Sequence, residues 1–290
     1  MKSIAIIGLG RVGLALAVLL WRQGWTALRV YDRNPEKVRL LNRWIGGAPV
    51  ICASPASAVA GSSLVFLAVQ DRNIKPLALA LADSQAAANL AGIFFAHLSG
   101  ALTSLELSSL QALGSVTFSL HPLQSLADPA GAIKALPGSF FSFEGDERAL
   151  PLADELVRAL SGHLVRLAAE DKVLYHAAAV VSSNFFIALE EMAIKMMAGI
   201  GVDENTARRM LLPLIRGSFE NLERVSPAEA LTGPIARGDD ATVRAHLEVL
   251  RRKFPDYLKA YRLLAGLNLE LAMRRGRITP ADFPSLKPEA

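Results

Sequence analysis

The feature that most constrains this chain is its start, where the apolar run Ile4-Ala5-Ile6-Ile7 passes straight into Gly8-Leu9-Gly10-Arg11-Val12-Gly13 and then into the apolar stretch from Leu14 to Gln23. That pattern folds as strand, tight turn and helix. Each glycine meets a separate need: Gly8 makes the turn, Gly10 lets the backbone approach a pyrophosphate, and Gly13 lets helix and strand pack closely. The helix N-terminus adds free N–H groups and a positive dipole end. The whole turn, with Leu9, Arg11 and Val12 between the glycines, is therefore the expected cradle of a dinucleotide.

The residues beyond the turn support this. Gly24 stops the helix, and a second strand, Ala27 to Tyr31, ends at Asp32, where an acid would hold an adenosine ribose. Asp32 favours NAD, because a carboxylate repels the 2′-phosphate of NADP. Arg33 is the competing sign, since it could stack on adenine or grip that phosphate. A signal peptide is not expected: Arg11 and three glycines interrupt the apolar run and no small-residue cleavage site comes after it.

At 290 residues and 52% hydrophobic content the chain is long enough for two domains with a large aliphatic core. Its most apolar later stretch, Ala177 to Ile200, is broken by Ser182, Ser183, Asn184, Glu190, Glu191 and Lys195, so no membrane span is expected. The single cysteine, Cys52, excludes an internal disulfide and fits a reducing cytoplasm. A net charge of +4 without a basic block argues against nucleic acid and suits an anionic cofactor and a small acidic substrate.

Short apolar strands alternate with helical segments through the first half, the signature of a doubly wound parallel sheet. Strands are expected near 3–8, 27–32, 49–52, 63–69, 92–96 and 115–120, with two more, Ser139 to Phe143 and His163 to Leu167, extending the sheet. Ser63 to Val69 reads as a central strand, so Ala68, Val69 and Gln70 lie at the edge where ligands bind. From Glu170 onward strand signals stop, and helices are expected over 170–199, 203–224, 239–253 and 256–275. The expected α/β fold is thus a Rossmann-like domain over 1–167 and an all-helical substrate and dimerisation domain over 168–290, with a loosely held tail after Thr279.

Several residues could carry chemistry. His97-Leu98-Ser99-Gly100 and Ser119-Leu120-His121-Pro122 lie after the fifth and sixth strands, where a nicotinamide ring would arrive; His121 could exchange a proton and Ser99 polarise the same oxygen. At about 100° per residue, Lys172, His176, Ala179 and Ser183 share one helical stripe, with Asn184 flanking it. The loop from Leu231 to Asp239 offers Arg237 for a carboxylate, in its own site or a partner's, and Asp239 as a helix cap. The five histidines are scattered, and no metal site is expected.

Taken together these residues resemble the 6-phosphogluconate dehydrogenase-like superfamily. The closer resemblance is to a sparsely characterised family of reductases that joins a Rossmann-like domain to a C-terminal domain of unknown function. It is carried by His97 to Gly100, Ser119 to Gln124, Tyr175 to Ala178, Ser183-Asn184 and Leu231 to Asp239. Pyrroline-5-carboxylate reductase and prephenate dehydrogenase are more distant. The resemblance implies that Ser99 and His121 contact a substrate hydroxyl, as in prephenate dehydrogenases, and that Lys172 stands where hydroxyacid dehydrogenases carry a lysine. Here His176 replaces the asparagine one turn on, which speaks against a 3-hydroxyacid, and no serine-rich helix supports proline synthesis. The expected activity is NAD(P)-dependent hydride transfer at a C=O or C=N centre of a small carboxylated metabolite. His121 or Lys172 would move the proton and Ser99, His176 and Asn184 position the substrate, in a homodimer; the alternative is a dinucleotide-binding redox sensor without turnover.

Overall fold

The computed structural model describes residues 3–276 and 278–287. The chain divides into two compact units, Met1–Asn184 and Phe185–Ala290.

In the first unit β1 (Ile4–Ile7), α1 (Arg11–Arg22), β2 (Leu28–Tyr31), α2 (Pro35–Ile45), β3 (Val50–Ile51), α3 (Pro55–Val59), β4 (Leu64–Leu67), α4 (Ile74–Ala82), β5 (Phe94–His97), α5 (Ser108–Gln111) and β6 (Val116–Leu123) alternate. Then come α6 (Pro129–Ala135), β7 (Phe140–Gly145), α7 (Leu150–Ala159), β8 (His163–Arg166) and α8 (Lys172–Val180). The eight strands form one sheet in the order β3-β2-β1-β4-β5-β6-β7-β8. Helix starts obey local chemistry: Asn34 caps α2 ahead of Pro35, Ser54 and Ser57 form a capping box on α3, and Asp128 caps α6 ahead of Pro129.

Strand side chains alternate between two cores, as a period of two requires. Ile4, Ile6, Leu64 and Phe66 pack with Leu14 to Leu20 of α1 and with residues of α2, α6 and α7. Ala5, Ile7, Val65 and Leu67 pack on the other face with α3, α4 and α5. One departure from the expected parallel sheet concerns direction: β6 and β7 pair antiparallel, whereas β7 and β8 pair parallel. An apolar run carries no sign of its direction, so this could not be read from sequence.

The helical run beginning with α8 continues through a π turn at Val181–Phe185 into α9 (Phe186–Ala198). The division between units thus falls inside this run, beyond the boundary expected at 167/168, because the first turns of α8 are tied to the sheet. The second unit adds α10 (Glu204–Arg224), α11 (Pro227–Ala230), α12 (Gly233–Ala236), α13 (Asp240–Lys253) and α14 (Pro255–Met273). The one-turn helices α11 and α12 occupy a stretch expected as loop; Ser226 and Glu229 close a capping box on the first. Asp239 caps α13 as its position suggests, accepting from Thr242 N. Over residues 280–287 the tail is held rather than loose: Phe283 is buried with Ile235, Val243 and Leu247, and Ser285 bonds Asp240.

Among the described residues Ala169–Ala198 is one helix long and apolar enough to cross a membrane by length and composition, and it carries the polar interruptions read from the sequence. Its exposed side chains include Val181, Phe185 and Ile187, and α10 exposes Met210, Leu214 and Phe219.

Candidate active site

The turn after β1 is held by backbone bonds, Gly8 N–H to Tyr31 O (2.8 Å) and Ala68 N–H to Ile7 O (2.8 Å). Gly8 has φ +100°, a left-handed conformation in which a Cβ would also lie 2.5 Å from Ala68 O. A Cβ on Gly13 would lie 2.1 Å from Gly8 O, whereas one on Gly10 meets nothing within 4 Å. Gly10 therefore faces open space at the N-terminus of α1, and no side chain caps that helix. An approaching anion would find N–H groups there.

A cleft of about 610 Å³ opens beside the turn. Of the expected cofactor residues, Gly8, Gly10, Asp32, Arg33, Ala68, Val69 and Gln70 line it, joined by Lys37, Arg72 and Pro55. Leu9, Arg11, Val12 and Gly13 are not among the lining residues. Leu9 is buried, Val12 packs on the core, and Arg11 reaches Leu126 O. Lys37 went unread in the sequence because it sits in no motif, whereas Arg72 lies in the run after Gln70 at the strand edge where ligands were expected. The Asp32 carboxylate is already engaged: it accepts from Leu9 N (2.6 Å), Asn34 N (2.8 Å) and Lys37 Nζ (3.3 Å). It organises the turn as much as it faces the cleft.

At the C-terminal ends of β5 and β6 lies a second set of polar groups. His97 is fully buried; its Nδ1 accepts from Ser99 N and its Nε2 faces Thr103 O at 3.0 Å. A backbone N–H can only donate and a carbonyl only accept, so these bonds define the Nε2–H tautomer. Burial foremost pushes its pKa down to about 4, against the Thr103 bond that would raise it.

Ser99, expected to meet a substrate oxygen, is 4% exposed. Its hydroxyl donates to Asp71 Oδ2 (2.7 Å) and accepts from Ala101 N (3.3 Å) and Leu102 N (3.0 Å), which leaves no open valence. Lys172, expected to move a proton, is 0% exposed. Its ammonium donates to Ser119 Oγ (2.7 Å) and Ser99 O (3.2 Å), and burial lowers its pKa to about 8 against the opposing carboxylates of Glu144 and Asp71. Ser99 shapes the loop after β5, and Lys172, from α8, braces that loop against β6. Their residue types suggested chemistry; only long-range neighbours show both to be hydrogen-bonded within the fold.

His121 and His176 do project. His121, half-buried on β6, meets the Tyr175 hydroxyl through Nδ1 at 3.0 Å, and the rings stand edge to face with centroids 5.7 Å apart. The His176 ring lies 6.2 Å from that of His121. Both close over Gly100, where a Cβ would come within 2.6 Å of His176 Cδ2 and 2.9 Å of His121 Nε2. Burial first, then the charges of Lys172 and His176, push the His121 pKa down to about 4, so it is a neutral ring at pH 7. A neutral imidazole can donate at one nitrogen and accept at the other.

The helical stripe read from sequence, Lys172, His176, Ala179 and Ser183, is the less exposed face of this helical run, more covered than Val173, Leu174, Ala177 and Val181, and Tyr175 joins it. Ser183 and Asn184 fall in the π turn, and no described hydrogen bond joins either to the cluster. Arg237 belongs to the second unit, exposed after α12 and near Asp239. Among the described residues no group of His, Cys, Asp and Glu could hold a metal ion.

Comparison with known proteins accords with this architecture. Residues 1–122 match a Rossmann-like domain and residues 139–267 match a domain of unknown function, DUF2520. No curated protein matches the chain. Among solved structures, a Thermotoga maritima protein is 26% identical, with 94% of this chain and 100% of that one covered and a TM-score of 0.74. An Aspergillus terreus reductive aminase in complex with NADPH and ethyl-5-oxohexanoate is 21% identical over 96% and 95%, TM-score 0.65. A pyrroline-5-carboxylate reductase from Coxiella burnetii is 18% identical over 93% and 98%, TM-score 0.59. The two matches, a Rossmann-like domain followed by a domain of unknown function, stand in the same order as the two halves read from the chain.

Proposed function

We propose that this chain is an NADP-dependent oxidoreductase that moves a hydride to or from a C=O or C=N centre of a small carboxylated metabolite. The observation that carries the reading is the neutral His121, set beside His176 over Gly100 at the strand edge of the sheet that also bears the glycine turn. Ligands of such sheets bind at that edge. The reductive aminase and the pyrroline-5-carboxylate reductase of similar fold, one of them holding NADPH, support the same class.

A bound dinucleotide would supply the hydride. The chain would supply the rest: the turn and the α1 N-terminus bind the pyrophosphate, and His121 and His176 orient the reacting group and exchange its proton. Lys172, with no exposed surface, holds Ser99 and Ser119 in place. Positioning beside the ring contributes much of the rate in such enzymes.

The preference for NAD that Asp32 suggests is not supported. Its carboxylate is occupied by two backbone N–H groups and Lys37, and the same cleft carries Arg33, Lys37 and Arg72. Three cations against one engaged acid suit a 2′-phosphate. Calorimetric titration should show NADPH binding at least about tenfold tighter than NADH, a difference of about 1.4 kcal/mol. Arg33→Ala and Arg72→Ala should narrow the gap. Equal or tighter NADH binding refutes the NADP assignment, and binding of neither refutes the whole reading.

The exposed apolar side chains of α9 and α10 support a homodimer through this face. A membrane span is the weaker reading of the same surface. The run's first turns are tied to the sheet through Lys172 and Tyr175, and the remainder carries Glu190, Glu191 and Lys195.

A further inference from the structure

Tyr175 has no part in the proposed chemistry, yet it is the partner of the one histidine nitrogen whose bonding decides what the other can do. It lies one residue before His176 on α8 and touches His121 on β6. Directly across the antiparallel β6–β7 pairing from His121 stands Ser142. The Ser142 hydroxyl is buried and makes no hydrogen bond of normal geometry, and its influence on Tyr175 is a pull downward against burial, which raises the phenol's pKa. Tyr175 therefore remains a phenol.

Between a neutral imidazole and a phenol the direction of the 3.0 Å bond is set by acidity. The phenol is the stronger acid and the ring nitrogen the stronger base, so the O–H donates to Nδ1. The imidazole proton then resides on Nε2. That nitrogen makes no hydrogen bond among the described residues and lies beside Gly100, in the gap shared with His176.

Resting on the reading proposed above, we infer that Tyr175 is the positioning residue that fixes His121 as its Nε2–H tautomer, so that the site donates to a substrate oxygen and takes carbonyls in preference to protonated imines. A carbonyl oxygen accepts from Nε2–H. A protonated imine is itself a donor and a cation, and would meet a hydrogen with nothing to offer it. The carboxylates of the cluster already hold donors of their own: Asp71 Oδ2 accepts from Ser99, and both Glu144 oxygens accept from Ser104. At His121 the charge of Lys172 outweighs that of Asp71, which favours an oxygen gathering negative charge as hydride arrives.

The test is nitrogen–proton correlation spectroscopy of the full chain carrying 15N-labelled histidine, with His121 assigned through His121→Gln. The expected wild-type pattern is a protonated Nε2 and a bare Nδ1 from pH 5.5 to 8. In Tyr175→Phe the His121 signals should move to an average of the two tautomers, while His97, fixed by backbone bonds alone, keeps its pattern and reports an intact fold. A wild-type His121 protonated at Nδ1, or at both nitrogens at pH 6, overturns the inference, because Nε2 would then suit a protonated imine or be charged. So does a Tyr175→Phe spectrum in which His121 is unchanged. NADPH titration of the same sample separates the two ideas: binding with the wrong tautomer refutes this inference alone, whereas failure of wild type to bind either nucleotide refutes the reading on which it rests.

Discussion

Residue by residue, polar side chains here divide by whether their hydrogen-bonding capacity is already filled. Ser99 and Lys172 are bonded to groups of the fold, Asp71, Ser119 and the backbone of the loop after β5, whereas His121 and His176 turn toward the gap over Gly100. Gly100→Ala should drive its methyl into both rings and cost about 1–3 kcal/mol, the usual range for overpacking, read as a lower urea midpoint. Histidine burial also sets an acid limit. His97 and His121 have folded pKa values lowered to about 4 from 6.5, so the unfolded chain binds more protons between those limits. Their contribution is therefore complete above about pH 6.5 and lost as pH falls toward 4, by up to about 3 kcal/mol for each. Urea midpoints at pH 7.5 and pH 5 should show this drop, and His121→Gln should reduce it; a midpoint that does not fall toward pH 5 contradicts the burial of both rings as neutral groups.

At the level of the element, the strand–turn–helix at the start separates glycines that serve the fold from one that serves a ligand. Gly13→Ala places a Cβ against Gly8 O and should lower the melting temperature by roughly 10 °C or prevent folding. Gly10→Ala meets nothing, at an ordinary φ of −70°, and should stay within about 0.5 kcal/mol of wild type. It should still lose NADPH affinity in calorimetry, because the methyl would stand where the pyrophosphate approaches. Wild-type affinity in that variant would remove the turn from the binding site. The π turn at Val181–Phe185 is the other informative element, since it coincides with the only Ser-Ser-Asn run of the long helix and with the division between units. Such turns interrupt the 3.6-residue repeat, so a helical count cannot be carried across one.

For the whole molecule, the unanswered burial lies in the second unit. Its small core around Val243, Leu247 and Phe283 leaves Ile187, Met210, Leu214 and Phe219 exposed on α9 and α10. If two copies cover this surface, light scattering at micromolar concentration should give twice the 31.1 kDa chain mass, and Ile187→Glu with Leu214→Glu should halve it while NADPH binding to the first unit persists. A wild-type monomer would dispose of the dimer.

Sequence by itself determined the succession and approximate positions of the strands, the cofactor turn, the covered stripe of α8 and the helical second half, because each is a local pattern: a period of two, a period of 3.6, or a glycine where only glycine fits; it ended β6 too early, at 120, whereas the strand runs to Leu123 and carries His121. It did not determine strand direction, so β7 came out antiparallel. Nor could it tell a free polar group from a satisfied one. The Ser99–Asp71 bond spans 28 residues, His121–Tyr175 spans 54 and Lys172–Ser99 spans 73. Whether a hydroxyl or an ammonium is open to a ligand depends on partners that only the folded sheet brings within hydrogen-bond distance, and those contacts turned Lys172 inward and left His121 facing the gap.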